Sequence, residues 1–312
     1  MTHPIRAQSI RPNTTYWLRL AGWVHASCFV VLYCGRALAQ EQQGPPVEEV
    51  DVSTERQTAL ENESITLTTT PDVGPHLSHT TAVLALGAFV HPVYPGSKRS
   101  EVDPFPYVDI RGLLNDRVFV SDANGILGVK ILNEGLVRAG VGLNLGNGRT
   151  SSDDPRLKGL PNVTPGARVQ GYIALALKPI SLEVGVETRV VQKPGTLARF
   201  GASYNIAPLP QLHLSVSASI AYANAAYQNL FYGITPADAA AASAQGNPLP
   251  TYTPRSGLTS AALVTTVVYQ FTKHWGVLAF ANLYNVIGTP RDSPLTQRTA
   301  APIVAIGAVY MF

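Results

Sequence analysis

The chain has 312 residues, 46% of them hydrophobic and only 14% charged, with a formal charge of +3. Four of the 23 basic residues stand in the first 39 positions, where there is no acid, which leaves 19 basic against 20 acidic residues and no polycationic surface for nucleic acid. Both cysteines, Cys28 and Cys34, fall in the same opening segment, which excludes a disulfide framework or a cysteine metal site from everything after it.

Within that opening segment, Leu20 to Tyr33 is apolar except for His25 and Ser27, and Ala37, Leu38 and Ala39 follow it. A basic start, a short apolar run and a small-residue site make a signal peptide, so residues 1–39 are expected to be cleaved after Ala39. The run is too short for a spanning helix, which needs about 20 apolar residues. The bulky Tyr33 before Cys34 argues against a lipidation site. Residues 40–80 hold eight acids against one arginine and show no sustained apolar period. They are expected to form a flexible acidic arm in the periplasm.

From Thr81 onward apolar side chains recur at every second position, the period of a strand rather than a helix. In 180–191, Leu182, Val184, Val186 and Val190 share one face, opposite Ser181, Glu183, Gly185, Glu187 and Arg189. The same division appears in 136–146 and in 212–223, where Leu214, Val216 and Ile220 oppose His213, Ser215 and Ser217. Blocks of about ten residues match tilted membrane strands, apolar toward lipid and polar toward a lumen. Twelve blocks are predicted, at 81–91, 105–114, 117–121, 125–133, 136–146, 167–177, 180–191, 197–207, 212–223, 258–271, 275–286 and 303–312. The fold class is therefore all-β, a closed antiparallel transmembrane β-barrel of residues 81–312 with both termini periplasmic. Tight even-numbered connections and mostly longer odd-numbered ones agree with periplasmic turns and extracellular loops. In the last block Tyr310 and terminal Phe312 form the expected barrel-insertion signal, which makes the barrel-assembly machinery a partner along with outer-membrane lipid.

Loop and strand-end motifs add a family resemblance. Tyr94, Pro95, Gly96 and Ser97 precede Pro104, Phe105, Pro106 and Tyr107. Gly148 and Arg149 precede Leu157, Lys158, Gly159 and Leu160. Tyr227 leads to Phe231, Tyr232, Gly233, Ile234 and Thr235, then to Tyr252, Thr253 and Pro254. Asp292, Ser293, Pro294 and Leu295 come before the last block. In order and spacing these runs resemble the MipA/OmpV family, outer-membrane proteins named for interaction with the murein lytic transglycosylase MltA. The resemblance implies a barrel without known enzymatic activity, in some members a scaffold joining a lytic transglycosylase to a peptidoglycan synthase, in others a factor in adhesion or stress response. The acidic arm departs from the simplest family pattern. Physically, the Pro, Gly and Tyr residues of these motifs fix turns and anchor loop ends, and need bind nothing.

The candidate lumen lining is Asp109, Arg111, Arg138, Glu183, Glu187, Arg189, Arg199 and His213, expected to form ion pairs that offset the cost of enclosing charge. His213 beside Ser215 and Ser217 could suggest a hydrolase, but residues two apart on a strand are about 6.5–7 Å apart and no orienting acid is near. His76, His79 and His91 lack the spacing of a metal site with supporting acids. The expected function is a non-enzymatic outer-membrane scaffold linked to peptidoglycan enzymes, with no cofactor. A narrow solute channel is the alternative and an outer-membrane hydrolase a distant one.

Overall fold

The computed structural model describes residues 81–121, 125–146, 148–164, 166–190 and 195–312. The expected leader at 1–39 and the arm at 40–80 lie outside the described residues.

Twelve antiparallel strands close into one barrel, each paired with its chain neighbours and β1 with β12. They are β1 (Thr81–Pro92), β2 (Ser100–Gly112), β3 (Val118–Ser121), β4 (Gly125–Glu134), β5 (Val137–Gly146) and β6 (Gly166–Leu177). The circuit continues through β7 (Ile180–Arg189), β8 (Gly195–Leu209), β9 (Leu212–Ala223), β10 (Gly257–Gln270), β11 (Trp275–Val286) and β12 (Ala300–Met311). Val83 pairs with Met311, so the chain enters and leaves the barrel at the same end, here the turn end. Closure leaves no terminal edge, the condition for a sheet in lipid.

The alternation does what the period requires. Outward residues such as Leu86, Ile173, Val184, Phe200 and Ile306 are exposed, while their strand neighbours Asp109, Glu183, Glu187 and Ser217 are buried inside. An exterior this apolar would be an aggregation surface in water and is the expected surface in hydrocarbon. Two strands begin three or more residues earlier than the sequence period shows. β2 starts at Ser100, not 105, and β12 at Ala300, not 303. Pro104, Pro106 and Pro302 interrupt the reading there, because a proline removes a ladder donor without removing extended backbone. In β4 a bulge between Lys130 and Leu132 puts Ile131 and Leu132 both outside while Lys130 stays inside.

The turn joining β2 to β3 is strained and charged. Leu114, Asn115 and Asp116 all have positive φ (50°, 59° and 59°), after Gly112 at 76°. Such backbone costs about 1–2 kcal/mol per residue outside glycine. It is held by the buried Asp116 carboxylate, which accepts from Gly112 N (3.2 Å), Lys130 Nζ (2.8 Å) and Asn133 Nδ2 (2.7 Å). At the same end, Tyr310 packs edge-to-face on Trp275 (4.9 Å) and Phe312 (4.7 Å) and stacks on His274 (5.7 Å), an aromatic cluster of the kind that marks a membrane interface.

Candidate functional site: the lumen and the loop cap

The lumen has two unlike sectors. On the β6 to β9 side it is polar. Arg168 Nη1 donates to Glu187 Oε1 at 2.8 Å, and both side chains are largely buried. Register explains this pairing: Arg168 stands opposite Arg189, so it reaches diagonally to Glu187, and Arg189 instead donates to the Thr164 carbonyl. Arg138 likewise donates to the Gly135 and Val137 carbonyls at the turn end. Glu183 is buried with Oε2 unbonded among the described residues, and Arg199 on β8 is the opposite charge acting on it.

On β2, Asp109 accepts from Arg111 Nε (3.0 Å) and Nη2 (2.7 Å) and from the Tyr107 hydroxyl (3.1 Å). Sequence reasoning missed Arg168, Lys130 and Asp116. Arg168 lies within the block 167–177, and Asp116 falls between the blocks 105–114 and 117–121, where the strand period carries no information about charge pairing. His213 lies at the turn-end start of β9, opposite Val268. Ser215 Oγ and Ser217 Oγ have no hydrogen-bond partner among the described residues.

Across the lumen the lining is apolar. Val83, Ala85, Tyr107, Val268, Leu278, Val309 and Met311 form a buried cluster on β1, β2 and β10 to β12, with Phe105 against it. The lining therefore changes around the barrel, and the apolar cluster adjoins the buried Asp109 and Arg111 of β2. Valine, leucine and alanine inside these strands are indistinguishable by period from the same residues outside them.

At the loop end, the loops at 93–99, 148–164, 224–256 and 287–299 fold together over the mouth around Tyr94, Leu157, Leu160, Ile234, Ala242, Leu249 and Leu295. The motif residues are its joints. The Tyr94 hydroxyl donates to the Leu295 carbonyl (2.9 Å) and accepts from Gln297 (3.0 Å), and burial raises the Tyr94 pKa above its usual value. Pro95 leads into Gly96, which has φ 100° and accepts from Gln297 N and Arg298 N through its carbonyl. Ser97 donates to Asp154 (3.0 Å), and Ser293 to the Tyr232 carbonyl (2.7 Å). The Pro294 carbonyl accepts from Arg156 (2.9 Å), while Asp292 closes a one-turn 3-10 helix, Thr289–Asp292.

Loop 224–256 carries two helices, α1 (Ala225–Tyr232) and α2 (Pro236–Ala244). Asn224 caps α1 and also accepts from Thr196 N (3.1 Å), which ties the helix to the top of β8. Thr235 and Asp238 make a capping box on α2 behind Pro236. Gly233 ends α1, with its N–H donating to the Asn229 carbonyl. Tyr227 lies so close to Gly195 that a Cβ there would meet the Tyr227 Cα at 2.8 Å. Burial raises the phenol pKa of both Tyr227 and Tyr232. Tyr227 packs against Leu197, Ala221 and Ala223, which seats the start of this loop on the loop ends of β8 and β9.

The register also brings His91, Glu101 and Asp103 together at the loop end of β1 and β2, with donor atoms within 4.8 Å of one another. This corrects the expectation that His91 has no supporting acids: they come from the neighbouring strand, 10 and 12 residues away. The 3.0 Å hydrogen bond of His91 Nε2 with Asp103 accounts for the arrangement. His76 and His79 lie outside the described residues.

A closed barrel with an apolar exterior, a partly charged lumen and a folded loop cap defines a β-barrel protein of the outer membrane. The model of the family described as MltA-interacting protein MipA matches residues 84–312, and the chain belongs to that family. Among solved structures, the outer-membrane expressed OmpT of Vibrio cholerae is similar at 10% identity and TM-score 0.33, covering 75% of this chain and 97% of that one. An anion-selective porin from Comamonas acidovorans is similar at 7% identity and TM-score 0.33, covering 75% and 99%. The N-terminal β-barrel domain of Pseudomonas aeruginosa OprF is similar at 15% identity and TM-score 0.22, covering 47% and 88%. No curated protein matches the chain.

Proposed function

We propose that this barrel is a non-enzymatic scaffold whose turn end faces the periplasm and engages a murein lytic transglycosylase and, through it, a peptidoglycan synthase. The observation that carries the reading is the family match across nearly the whole barrel, to a family described as MltA-interacting. Geometry supports the choice of end. The loops at the far end are spent on one another, whereas the turns at Leu209–Gln211 and Phe271–Lys273 are short and exposed. The acidic stretch at 40–80 joins the barrel at the turn end through Thr81. In this reading 1–39 directs export, and Tyr310 with Phe312 presents the barrel to its assembly machinery.

The test is binding of a purified soluble lytic transglycosylase to the barrel in lipid nanodiscs, with and without residues 41–75. Saturable binding supports the scaffold, and its loss on deletion assigns the contact to the arm. The charged luminal strip around Arg168 and Glu187 favours a narrow channel as the second reading. No binding, together with ion conductance in planar bilayers, would put the channel first.

A further inference from the structure

The loop end of β1 and β2 gathers three side chains that can ligate a metal. The register sets His91 directly opposite Glu101, and Asp103 two residues further along β2, opposite Phe89. Directly opposed residues share a face, and residues two apart on a strand do as well. The trio is therefore on the luminal face, in phase with the buried Tyr107 and Asp109. The loop above them closes tightly, with Val93 N donating to the Arg99 carbonyl at 3.1 Å, so the two strand ends hold a fixed spacing. Phe89 stacks on the His91 ring with 4.2 Å between centroids and 14° between planes, which sets the plane of the imidazole. The Arg99 guanidinium, two residues before Glu101, donates to the Asp153 carbonyl at 3.1 Å.

The hydrogen bonds of His91 specify what lies between these groups. Its Nδ1 is 2.9 Å from the Pro92 carbonyl, an oxygen that can only accept, so Nδ1 carries a proton. In the neutral ring Nε2 then presents a lone pair, and it faces Asp103 Oδ2 at 3.0 Å and Glu101 Oε1 at 3.8 Å. Three acceptors turned on one point require a cation between them, either a second proton on the ring or a metal ion. A backbone carbonyl on the far nitrogen is also the arrangement that orients metal-binding histidines. The spacing suits a small tetrahedral ion. Zn²⁺ with bonds of about 2.0–2.2 Å holds its ligand atoms about 3.3–3.6 Å apart, which falls between the two distances from Nε2. The three donor atoms all lie within 4.8 Å of one another, so small side-chain movements complete the site. One oxygen from each carboxylate suffices, which leaves the other for hydrogen bonds to its surroundings.

We infer that His91, Glu101 and Asp103 bind one divalent transition-metal ion of the Zn²⁺ type at the loop-end mouth of the barrel, with water completing its coordination. One imidazole and two carboxylates suit Zn²⁺ better than Ca²⁺ or Mg²⁺, which take about six to eight oxygens. The side chains of His91, Asp103 and Glu101 are 19%, 27% and 45% exposed, so an ion reaches the carboxylates from solvent and meets the imidazole last.

The test is calorimetric titration of ZnCl₂ into the full mature chain, without a histidine tag, in phosphatidylcholine nanodiscs. The expected result is one saturable Zn²⁺ per barrel, bound at least tenfold more weakly by His91→Ala and by Asp103→Asn, each checked for folding by its mobility on unheated gels. If either variant does not fold, Glu101→Gln, which changes the most exposed ligand, replaces it with the same expected loss. His76→Ala with His79→Ala, outside the trio, should leave this binding unchanged, and Ca²⁺ or Mg²⁺ at equal concentration should not displace the ion. Absence of saturable Zn²⁺ binding, or an affinity unchanged in the trio variants, would leave a doubly protonated His91 as the only bridge between the two acids and overturn the site. Displacement by equal Ca²⁺ would overturn its assignment to a transition metal.

Discussion

Asp116→Ala tests how the turn end is held together. The Asp116 carboxylate is fully buried and the Lys130 ammonium 2% exposed, 2.8 Å apart. Removing the carboxylate also takes the acceptor from Gly112 N and Asn133, beside three residues held at positive φ. Breaking a buried pair from one side costs about 3–5 kcal/mol, because the remaining charge stays enclosed. Urea unfolding of the barrel in phospholipid vesicles, followed by the mobility of folded and unfolded forms on unheated gels, should show a loss of that size. Asp116→Ala with Lys130→Met should recover most of it, since no charge is then left behind. A loss below about 1 kcal/mol, or a double variant no better than the single, would refute the view that this pair holds the turn.

Arg168→Met should destabilise the barrel more than Arg168→Met with Glu187→Gln in the same urea titration, because the single change strands the buried Glu187. Gly159→Ala puts a Cβ 2.6 Å from Ala242 Cα at a φ of 82° and should make the loop cap protease-sensitive while the strands stay protected. Burial holds the pKa values of Tyr94, Tyr227, Tyr232 and Tyr252 above their usual 10.0, so the folded cap keeps them neutral. Their contribution is intact below pH 10 and is lost as pH rises beyond it, when the released loops ionise first. Hydrogen exchange should accordingly show the cap opening between pH 9 and 11 before the strands do.

The strand count and the facing of Glu183, Glu187 and Arg189 are legible in the sequence, because a period of two divides each block into lipid and lumen faces. The ion pairs are not, since pairing is set by register: Arg168 finds Glu187 on a neighbouring strand, and His91 finds Asp103 twelve residues away. The apolar half of the lumen is hidden for another reason. Val83, Leu278 and Val309 obey the alternation while facing inward, and side chains that are apolar on both faces carry no phase. The motif residues Tyr94, Ser97 and Ser293 look like turn formers in isolation. Their bonds to Leu295, Asp154 and Tyr232 join loops 57 to 201 residues apart, a distance over which local pattern is silent.

The central claim is that the turn end, not the loop cap, meets the murein enzymes. Photo-crosslinking residues placed singly at Gln211 and Lys273 in the turns, and at Gly246 in the cap, test it in intact cells. The account predicts capture of a lytic transglycosylase from the two turn positions and none from Gly246. Capture from the cap position alone, or from none under conditions that trap other envelope complexes, would contradict it.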